Sequence, residues 1–561
     1  MLVGDSKSAA ALGSSLEVRS LFSKYAKVNE PLISDYISSI PQSLSETVSA
    51  ISKQVGEQTT SEIVLNNRHR LQPFIDKFHR EANTASSSVM DKLRLLSDPE
   101  TSIFVSIHQP NLFAFGGIFK KIVLLQTLMN TIQQRKPASK IVNLFLIVDH
   151  DFMDDAYIRL AELPSTRHVD GRLQLRMPIN ESKRWQLVCN MPLPGRSIVD
   201  HWKAQIFNWI RHSLASKSHD TDHLAVMNNF KLFWSKVEES YALAKNYSNF
   251  NSFLISQLVN MEWGYDTLFV RLSDISPVFE SGFKYLIANF SRYSKSLNRA
   301  DNMFLHAGIN TGVSSASYLN APLWLHCNCG SKASTKLRED PKGEIALVGT
   351  CMSCKTSLKV DLGRKNEISL PEGTIHRLSP RAIPILLLLA RELSVLCYAS
   401  GTGGSLGYTV VGAMVFRELK IHMPLTIIWA GKDVYNGIGR LEALRQLPHS
   451  KQAEIAVYIG KLKKEDSEYK RKIEPLLADR RRRVKEGQPI DMVLDRLFSF
   501  KTQQRNIRQL LQVAQKVKNA LETKSSIIDY VVNFGIINTE MLWRRNLLRN
   551  DNLAAAVTLS P

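Results

Sequence analysis

The chain has 561 residues, of which 44% are apolar and 22% are charged. These proportions are ordinary for a globular protein, and the length suffices for three or four domains or for one large core with insertions. Four of the six cysteines fall in two close pairs, which argues against a disulfide scaffold.

Neither the N-terminal residues nor the most apolar stretch of the sequence predicts export or a membrane span. Residues 1–7 lack the basic-then-apolar order of a signal peptide. The most apolar stretch, residues 383–399, is interrupted by Arg391 and Glu392 and is short for a bilayer. We therefore expect a soluble, cytoplasmic protein that does not enter a membrane.

Part of the formal net charge of +20 is concentrated in one region of the chain. Residues 461–464, 470–472 and 480–483 are rich in Lys and Arg and lie in one predicted helical stretch. Interspersed acidic residues such as Glu465 and Glu474 favour a solvated helix face. Neutralisation of RNA phosphates, or binding of an acidic substrate, is the alternative interpretation.

Residues 1–100 are predicted to form an N-terminal helical region. The first part of the core then occupies residues 101–323, with a mixed insertion at about 165–265 that carries two helices. The core elements predicted here are a strand over 103–107, a turn at Gly116 and Gly117, a helix over 118–134, and strands over 141–148 and 268–272. Near-continuous apolar strands bounded by helices favour an α/β fold with a parallel sheet covered on both faces.

Four predicted segments complete the chain after the first part of the core. A cysteine-bearing, zinc-ribbon-like insertion occupies residues 324–366, and the second part of the core occupies 367–436. A helical arm follows over 437–530 and a tail over 531–561. The arm has one break, at 487–489 (Gly-Gln-Pro), which predicts a long antiparallel helical hairpin of coiled-coil type.

Three polar residues, His108, Gln109 and Asn111, directly follow the first predicted strand. In an open α/β sheet, the residues beyond the carboxyl ends of the strands line the ligand crevice. We therefore predict that these side chains contact a small molecule. A hydrogen bond between the His108 imidazole and a backbone carbonyl is the alternative interpretation.

A second polar group, Asp149, His150 and Asp151, follows the strand over 141–148, with Asp154 and Asp155 just beyond. A carboxylate beside a histidine orients the imidazole and raises its basicity, so this group can act as a general base near neutral pH. Aspartates at a strand end can equally hold Mg²⁺ for a nucleotide. A polar loop whose aspartates cap the next helix is the third interpretation.

Cys327 and Cys329 form the first cysteine pair, and Cys351 and Cys354 form the second. Two pairs held by tight turns present four thiolates tetrahedrally to Zn²⁺. The first pair has one intervening residue instead of two, so His326 can replace Cys327 as the fourth ligand. We predict a structural zinc site, because four protein ligands leave no open coordination position, and such a segment can also present a surface to RNA.

A glycine-rich turn containing Gly401, Gly403 and Gly404 follows a predicted strand and precedes a predicted helix. The backbone N–H groups of such a turn can cradle phosphate, which makes a nucleotide, ATP or ADP, a candidate ligand. Glycine also serves tight turns and close packing. The sequence lacks the Gly-x-x-x-x-Gly-Lys-Ser/Thr pattern of P-loop NTPases.

Taken in chain order, these elements resemble the bacillithiol-biosynthesis cysteine-adding enzyme family. The most specific correspondence is Val-Asp-His-Asp-Phe at 148–152, against the family's Glu-Asp-His-Asp-Phe. The family's Thr-Gly-Gln-Gln-x-Gly-Leu segment and its Gly-Pro turn correspond to residues 107–112 followed by Gly116 and Gly117. Residues 107–111 also resemble the start of the WbqC-like family.

The resemblance continues at residues 401–405 with Tyr408, which are similar to the family's Gly-Gly-Pro-Gly-Glu-x-x-Tyr turn. It covers roughly residues 100–435, and the helical arm fits the family's coiled-coil arm. The chain departs from the pattern by lacking the glutamate of both motifs, with Ser405 in its place in the turn, and by the added cysteine segment.

The resemblance implies a Rossmann-like core and a ligase that joins cysteine, or a similar amino acid, to the amino group of a small molecule such as a glucosaminyl malate. It implies that Asp149, His150 and Asp151 orient the amine or accept its proton. It implies contacts to substrate or nucleotide from His108, Gln109, Asn111, Gly116, Gly117, Gly401, Gly403, Gly404 and Tyr408. A homodimer through the arm is expected. The competing hypothesis is a zinc-ribbon RNA-binding or scaffold protein with a non-catalytic core.

Overall fold

The structure is a computed structural model that describes residues 18–57, 60–215, 222–313, 319–403, 405–452 and 454–560. In these ranges the strands are β1 (Ser102–His108), β2 (Ile141–Ile147), β3 (Leu160–Pro164), β4 (Arg172–Arg176), β5 (Leu268–Arg271), β6 (Leu323–His326), β7 (Lys332–Glu339), β8 (Glu344–Cys351), β9 (Ser357–Arg364), β10 (Glu367–Ile368), β11 (Leu378–Pro380), β12 (Val395–Ser400), β13 (Leu425–Ile428), β14 (Asp433–Val434) and β15 (Val557–Thr558).

Helices precede and separate these strands. They are α1 (Val18–Leu21), α2 (Pro31–Ser39), α3 (Leu44–Ser52), α4 (Glu62–Glu81), α5 (Ser87–Leu95), α6 (Gly116–Arg135), α7 (Ala156–Arg159), α8 (Arg196–Ala215), α9 (His223–Leu243), α10 (Tyr247–Ser256), α11 (Leu272–Ile275), α12 (Glu280–Ala288), α13 (Phe290–His306), α14 (Ala382–Leu393), α15 (Ser405–Leu419), α16 (Ile438–Leu444), α17 (His449–Gln452), α18 (Ile455–Lys485), α19 (Asp491–Leu521), α20 (Ile527–Phe534) and α21 (Ile536–Arg549). Within the described ranges, no helix combines the length and the apolar character that crossing a bilayer requires.

Five parallel strands form the central sheet, in the order β13-β12-β1-β2-β5. Side chains alternate between the two faces of a strand, and both faces of β2 are apolar. Leu144 and Leu146 join the apolar cluster on one face, whereas Phe145 and Ile147 join the cluster on the other. The prediction of an α/β fold built on a parallel sheet is confirmed, and the burial of both faces explains why β2 is almost continuously apolar.

A second, antiparallel sheet carries the cysteine pairs, in the order β10-β9-β8-β7-β6-β11. Its edge strand β11 pairs with β6 and leads directly into α14, the helix before β12. The segment predicted at 324–366 therefore supplies most of a six-stranded sheet that adjoins the strand ends of the parallel sheet.

The arm is a hairpin of two helices, α18 and α19, of 31 residues each. At 1.5 Å of rise per residue each helix is about 46 Å long. Gly487, with a φ of +66°, lies in the turn between them. The prediction of a single break was wrong, because the structure also interrupts the helix between α16 and α17. Pro448 explains that interruption, since proline disfavours a helical conformation in the residue before it.

Gly116 and Gly117 were predicted to form a turn, which is wrong, because they are the first two residues of α6. A Cβ atom at Gly116 would lie 2.6 Å from Cε2 of Tyr530. A Cβ atom at Gly117 would lie 2.8 Å from Cε2 of Phe115. A side chain at either position would therefore force the neighbouring aromatic ring to shift.

Candidate functional site

A cavity of about 1020 Å³ lies at the carboxyl ends of the central strands. This volume accommodates a ligand of nucleotide size. The residues predicted from sequence that line it are His108, Gln109, Asn111, Gly116, Gly117, His150, Asp151, Gly401, Gly403 and Tyr408. Asp149 is not among the lining residues, and Gly404 lies outside the described residues.

His108 ends β1 and is oriented by its own loop. Its Nδ1 donates to the Gln109 carbonyl oxygen and lies 3.1 Å from Asn111 Oδ1. The Asn111 amide in turn donates to the Tyr157 carbonyl oxygen at 2.6 Å. Burial, helped by the nearby Lys121 ammonium, lowers the pKa of His108 to about 3. The imidazole is therefore neutral at pH 7, and since Nδ1 carries the proton, Nε2 is an acceptor.

Gln109 and Asp151 join the two predicted polar motifs. The Gln109 side-chain amide donates to Asp151 Oδ2 at 2.7 Å. The ammonium of Lys332 lies 3.9 Å from the other carboxylate oxygen of Asp151. The Asp151 carboxylate is partly exposed, with 37% of its side-chain surface accessible, so it can receive a proton or a hydrogen bond from a ligand.

His150 is buried beside Asp151 and lines the cavity. Its ring lies 4.4 Å from the His326 ring, centroid to centroid. Among the described residues, no group forms a hydrogen bond with its Nδ1. Burial, with the charges of His326 and Lys332 adding to it, lowers the pKa of His150 far below its ordinary value. A buried, unpaired nitrogen costs about 1–3 kcal/mol, which a polar ligand in the cavity can recover.

Asp149 is fully buried behind this wall. Its carboxylate accepts hydrogen bonds from the Ser273 amide at 3.0 Å and hydroxyl at 2.7 Å, and from the Ser248 hydroxyl at 3.1 Å. Burial raises its pKa to about 6, although the hydrogen bonds from Ser273 oppose that shift. These contacts join the end of β2 to the residues after β5, so Asp149 positions the polar motif.

Lys332 is a lining residue that sequence reasoning missed. It is buried, donates to the His150 carbonyl oxygen, and has its Nζ 4.5 Å from the Trp324 ring centroid and 4.8 Å from that of Phe152. Burial lowers its pKa to about 8. A lone lysine in an antiparallel strand carries no sequence signal, because only the docking of that sheet brings it here.

The glycine-rich turn faces a second lysine, Lys121 of α6. The Lys121 ammonium lies 3.5 Å from the point that a Cβ atom at Gly401 would occupy, and burial lowers its pKa to about 8. Ser405 closes the turn, since its hydroxyl accepts from the Gly401 amide at 3.2 Å. Backbone N–H groups, the start of α15 and an ammonium thus converge where an anionic group can bind.

The cavity lining also contains an arginine and an ion pair that the sequence did not reveal. Arg440 stacks on Tyr435 with its guanidinium carbon 4.0 Å from the ring centroid. Its Nε has no hydrogen-bond partner among the described residues. Lys120 pairs with Asp433 at 2.8 Å. These charges come from α6, α16 and the segment after β13, which lie far apart in the sequence.

The four predicted metal ligands, Cys327, Cys329, Cys351 and Cys354, come together. Their sulfur atoms all lie within 4.8 Å of one another, with Cys327 Sγ 3.6 Å from Cys354 Sγ and Cys329 Sγ 3.4 Å from Cys351 Sγ. Zn–S bonds of about 2.3 Å in a tetrahedron place sulfur atoms at such separations. His326, the alternative ligand, instead lies 2.8 Å from the Ser379 hydroxyl through its Nε2.

No protein-family model matches the chain, and no curated protein matches it. The resemblance to the cysteine-adding enzyme family therefore rests on the sequence motifs alone. A functional assignment depends on the geometry of the cavity and of the thiol cluster.

Proposed function

We propose that the chain is a ligase that forms an amide between an amino acid, cysteine or a similar one, and a small amine. The main observation in support is that residues from the segments 107–117, 150–151 and 401–408 line one cavity. These are the segments in which the sequence resembles an amide-forming family. We further propose that the parallel sheet is a Rossmann-like core, that the hairpin is a coiled-coil arm, and that the thiol cluster binds structural zinc.

The reaction needs an activated carboxyl group, which a nucleoside triphosphate can supply. A carboxylate oxygen of the amino acid attacks the terminal phosphorus, which forms an acyl phosphate and releases the nucleoside diphosphate. The amine nitrogen then attacks the acyl carbon, so that a C–N bond forms and the C–O bond to phosphate breaks. The proton lost by the amine passes to a base in the cavity.

The residues of the cavity suit these roles. Asp151, held by Gln109, is placed to orient the amine and accept its proton, with His150 beside it. Lys121 and the glycine-rich turn are placed to hold phosphate. Asp149 supports the motif from behind through Ser273 and Ser248.

Hydroxylamine, which traps activated acyl groups, tests the proposal without knowledge of the natural amine. The purified chain is incubated with ATP, hydroxylamine and each of the common amino acids, and hydroxamates are measured by mass spectrometry. We expect an ATP-dependent hydroxamate of cysteine or a similar amino acid. Asp151→Asn should slow its formation about a hundredfold, because a general base contributes at least that much.

Asp154→Asn is the matched control. Asp154 belongs to the same acidic segment, pairs with Arg184 and is not a lining residue, so this variant should retain the wild-type rate. The absence of any hydroxamate, together with no ATP or ADP retained in native mass spectrometry, would contradict the ligase. The same spectra count the subunits and so test the homodimer expected through the arm.

RNA binding is the second candidate function, favoured by the charge of the hairpin. Residues 455–521 contain 17 Lys and Arg residues against eight Asp and Glu residues, and Arg480 and Arg481 are exposed. Binding through phosphate neutralisation falls steeply with salt. We expect the double change Arg480→Glu and Arg481→Glu to weaken binding of a transfer RNA in a mobility-shift assay.

The control for the RNA experiment is the double change Lys53→Glu and Lys77→Glu, which alters the net charge equally at exposed positions, one just after α3 and one on α4. Equal weakening by both double variants would assign the binding to overall charge. Absent or salt-insensitive binding would contradict this second function.

A further inference from the structure

The four thiols and the cavity wall are neighbours along the chain and across the antiparallel sheet. Lys332 lies three residues after Cys329, at the start of β7. The Cys327 amide donates to the Ser331 carbonyl oxygen at 2.9 Å, and the Met352 amide donates to the Lys332 carbonyl oxygen at 3.2 Å. Both cysteine-bearing turns are therefore hydrogen-bonded to the backbone that carries the Lys332 side chain into the cavity.

The first cysteine turn also holds a loop from another part of the chain, residues 186–190. The Gly330 carbonyl oxygen accepts from the Leu187 amide at 3.0 Å and from the Asn190 side chain at 3.2 Å. Gly330 has a φ of +88°, and a Cβ atom there would lie 3.0 Å from the side-chain nitrogen Nε2 of Gln186. The close approach of turn and loop thus depends on glycine.

The same loop is hydrogen-bonded to the polar motif after β2. The Cys189 amide donates to the Asp149 carbonyl oxygen at 2.9 Å, and the Val188 amide donates to the Asp151 carbonyl oxygen at 3.0 Å. A continuous path of backbone hydrogen bonds therefore runs from the thiol cluster through residues 186–190 to the motif. Each of these hydrogen bonds contributes only about 1 kcal/mol. The path therefore stays ordered only if the turn that contains Cys327 and Cys329 is itself held in place.

We propose that a metal ion bound by Cys327, Cys329, Cys351 and Cys354 fixes the cavity wall that contains Lys332 and Asp151, so that metal occupancy sets the order of this wall. The inference rests on the proposed zinc site and on the cavity, and it is independent of amide chemistry. Cys351 is buried in the apolar core and Cys327 packs against it, whereas Cys329 and Cys354 are exposed, so apolar burial anchors only one cysteine of each turn. Metal ligation therefore supplies their order, as it does where metal binding is coupled to folding.

Hydrogen–deuterium exchange of the full chain tests this coupling, with zinc measured by elemental mass spectrometry before and after a chelator. We expect about one zinc per chain, consistent with a four-ligand site. After chelation, the amides of Leu187, Val188 and Cys189 should exchange about tenfold faster, because their acceptors are no longer held in place. The amides of β2 should keep their protection.

Three results would overturn the coupling. The first is faster exchange confined to residues 327–356, and the second is a loss of protection that includes β2, which would assign the metal to the whole fold. The third is the absence of bound metal, which would remove the zinc site itself. A failed hydroxamate assay with intact exchange results would contradict only the ligase.

Two variants and one control separate the loss of the metal from the loss of the hydrogen-bonded path. Cys354→Ser should reproduce the chelated state, whereas Ser353→Ala keeps all four ligands and should exchange like the wild type. Asn190→Ala keeps the metal and removes one bond to Gly330, so it should accelerate exchange at Leu187 with zinc content unchanged. If Asn190→Ala leaves that exchange unaltered while Cys354→Ser accelerates it, the path through residue 190 is wrong.

Discussion

The buried carboxyl of Asp149 links the pH to the stability of the chain. Its pKa is raised by burial from 3.8 to about 6, so between these values the folded chain holds a proton that the unfolded chain has released. The stabilising contribution is full below about pH 4 and is lost as the pH rises through about 6. The direction is opposite to that of a salt-bridged aspartate.

Asp149→Asn should remove this pH dependence. We expect the free energy of unfolding of the wild type, relative to the variant, to be about 2 kcal/mol greater at pH 4.5 than at pH 7.5. Urea denaturation at the two pH values measures the difference, and Asp35→Asn, an exposed position, is the matched control. A relative stability that rises with pH would contradict the assigned burial effect.

Helix α15 contains two glycines with opposite surroundings. A Cβ atom at Gly407 would lie 1.5 Å from the Thr311 carbonyl oxygen, whereas one at Gly412 would have no atom within 4 Å. Gly412→Ala should raise the free energy of unfolding by about 0.5–1 kcal/mol, since alanine favours the helix. Gly407→Ala should lower it by about 2 kcal/mol through overpacking.

The two alanine variants are compared by chemical denaturation of the full chain. Because both changes add the same methyl group to one helix, the difference between them reports the surroundings alone. Equal stabilisation by both would contradict the contact between the start of α15 and the segment that contains Thr311.

The outer part of the hairpin contains apolar contacts of its own, separate from the rest of the molecule. An outer cluster of Ile473, Val493 and Leu497 is distinct from the cluster near the base, and the Tyr469 and Phe500 rings lie 6.0 Å apart between them. Replacing residues 470–499 by a short Gly-Ser linker should therefore leave the thermal unfolding midpoint within about 3 °C. A loss of cooperative unfolding, followed by circular dichroism, would show that the outer hairpin stabilises the core.

Sequence patterns predicted those parts of the molecule that are determined by neighbouring residues in the chain. The apolar run of β2 and the spacing of the cysteine pairs each reflect short-range geometry, and the strand and the thiol cluster occur as expected. Polar residues directly after strands also reach the cavity, because parallel strands end at the same edge of a sheet.

The remaining site residues depend on contacts between distant segments. Lys332 enters the cavity from the antiparallel sheet, and Arg440 enters it from a helix beyond the central strands. In the sequence, Lys332 and Arg440 each look like an ordinary exposed cation. Asp149 is the reverse case, since a conspicuous motif residue proves to be buried behind the wall.

The order of the central strands has a consequence for synthesis on the ribosome. β1 lies between β2 and β12, and its partner residue Val395 is made about 290 residues after Ile103. At a translation rate of about 5–20 residues per second, one edge of β1 stays unpaired for roughly 15 to 60 seconds until β12 has been synthesised. During that interval the nascent chain presents an unpaired apolar strand, so its yield should depend on chaperones that shield such edges.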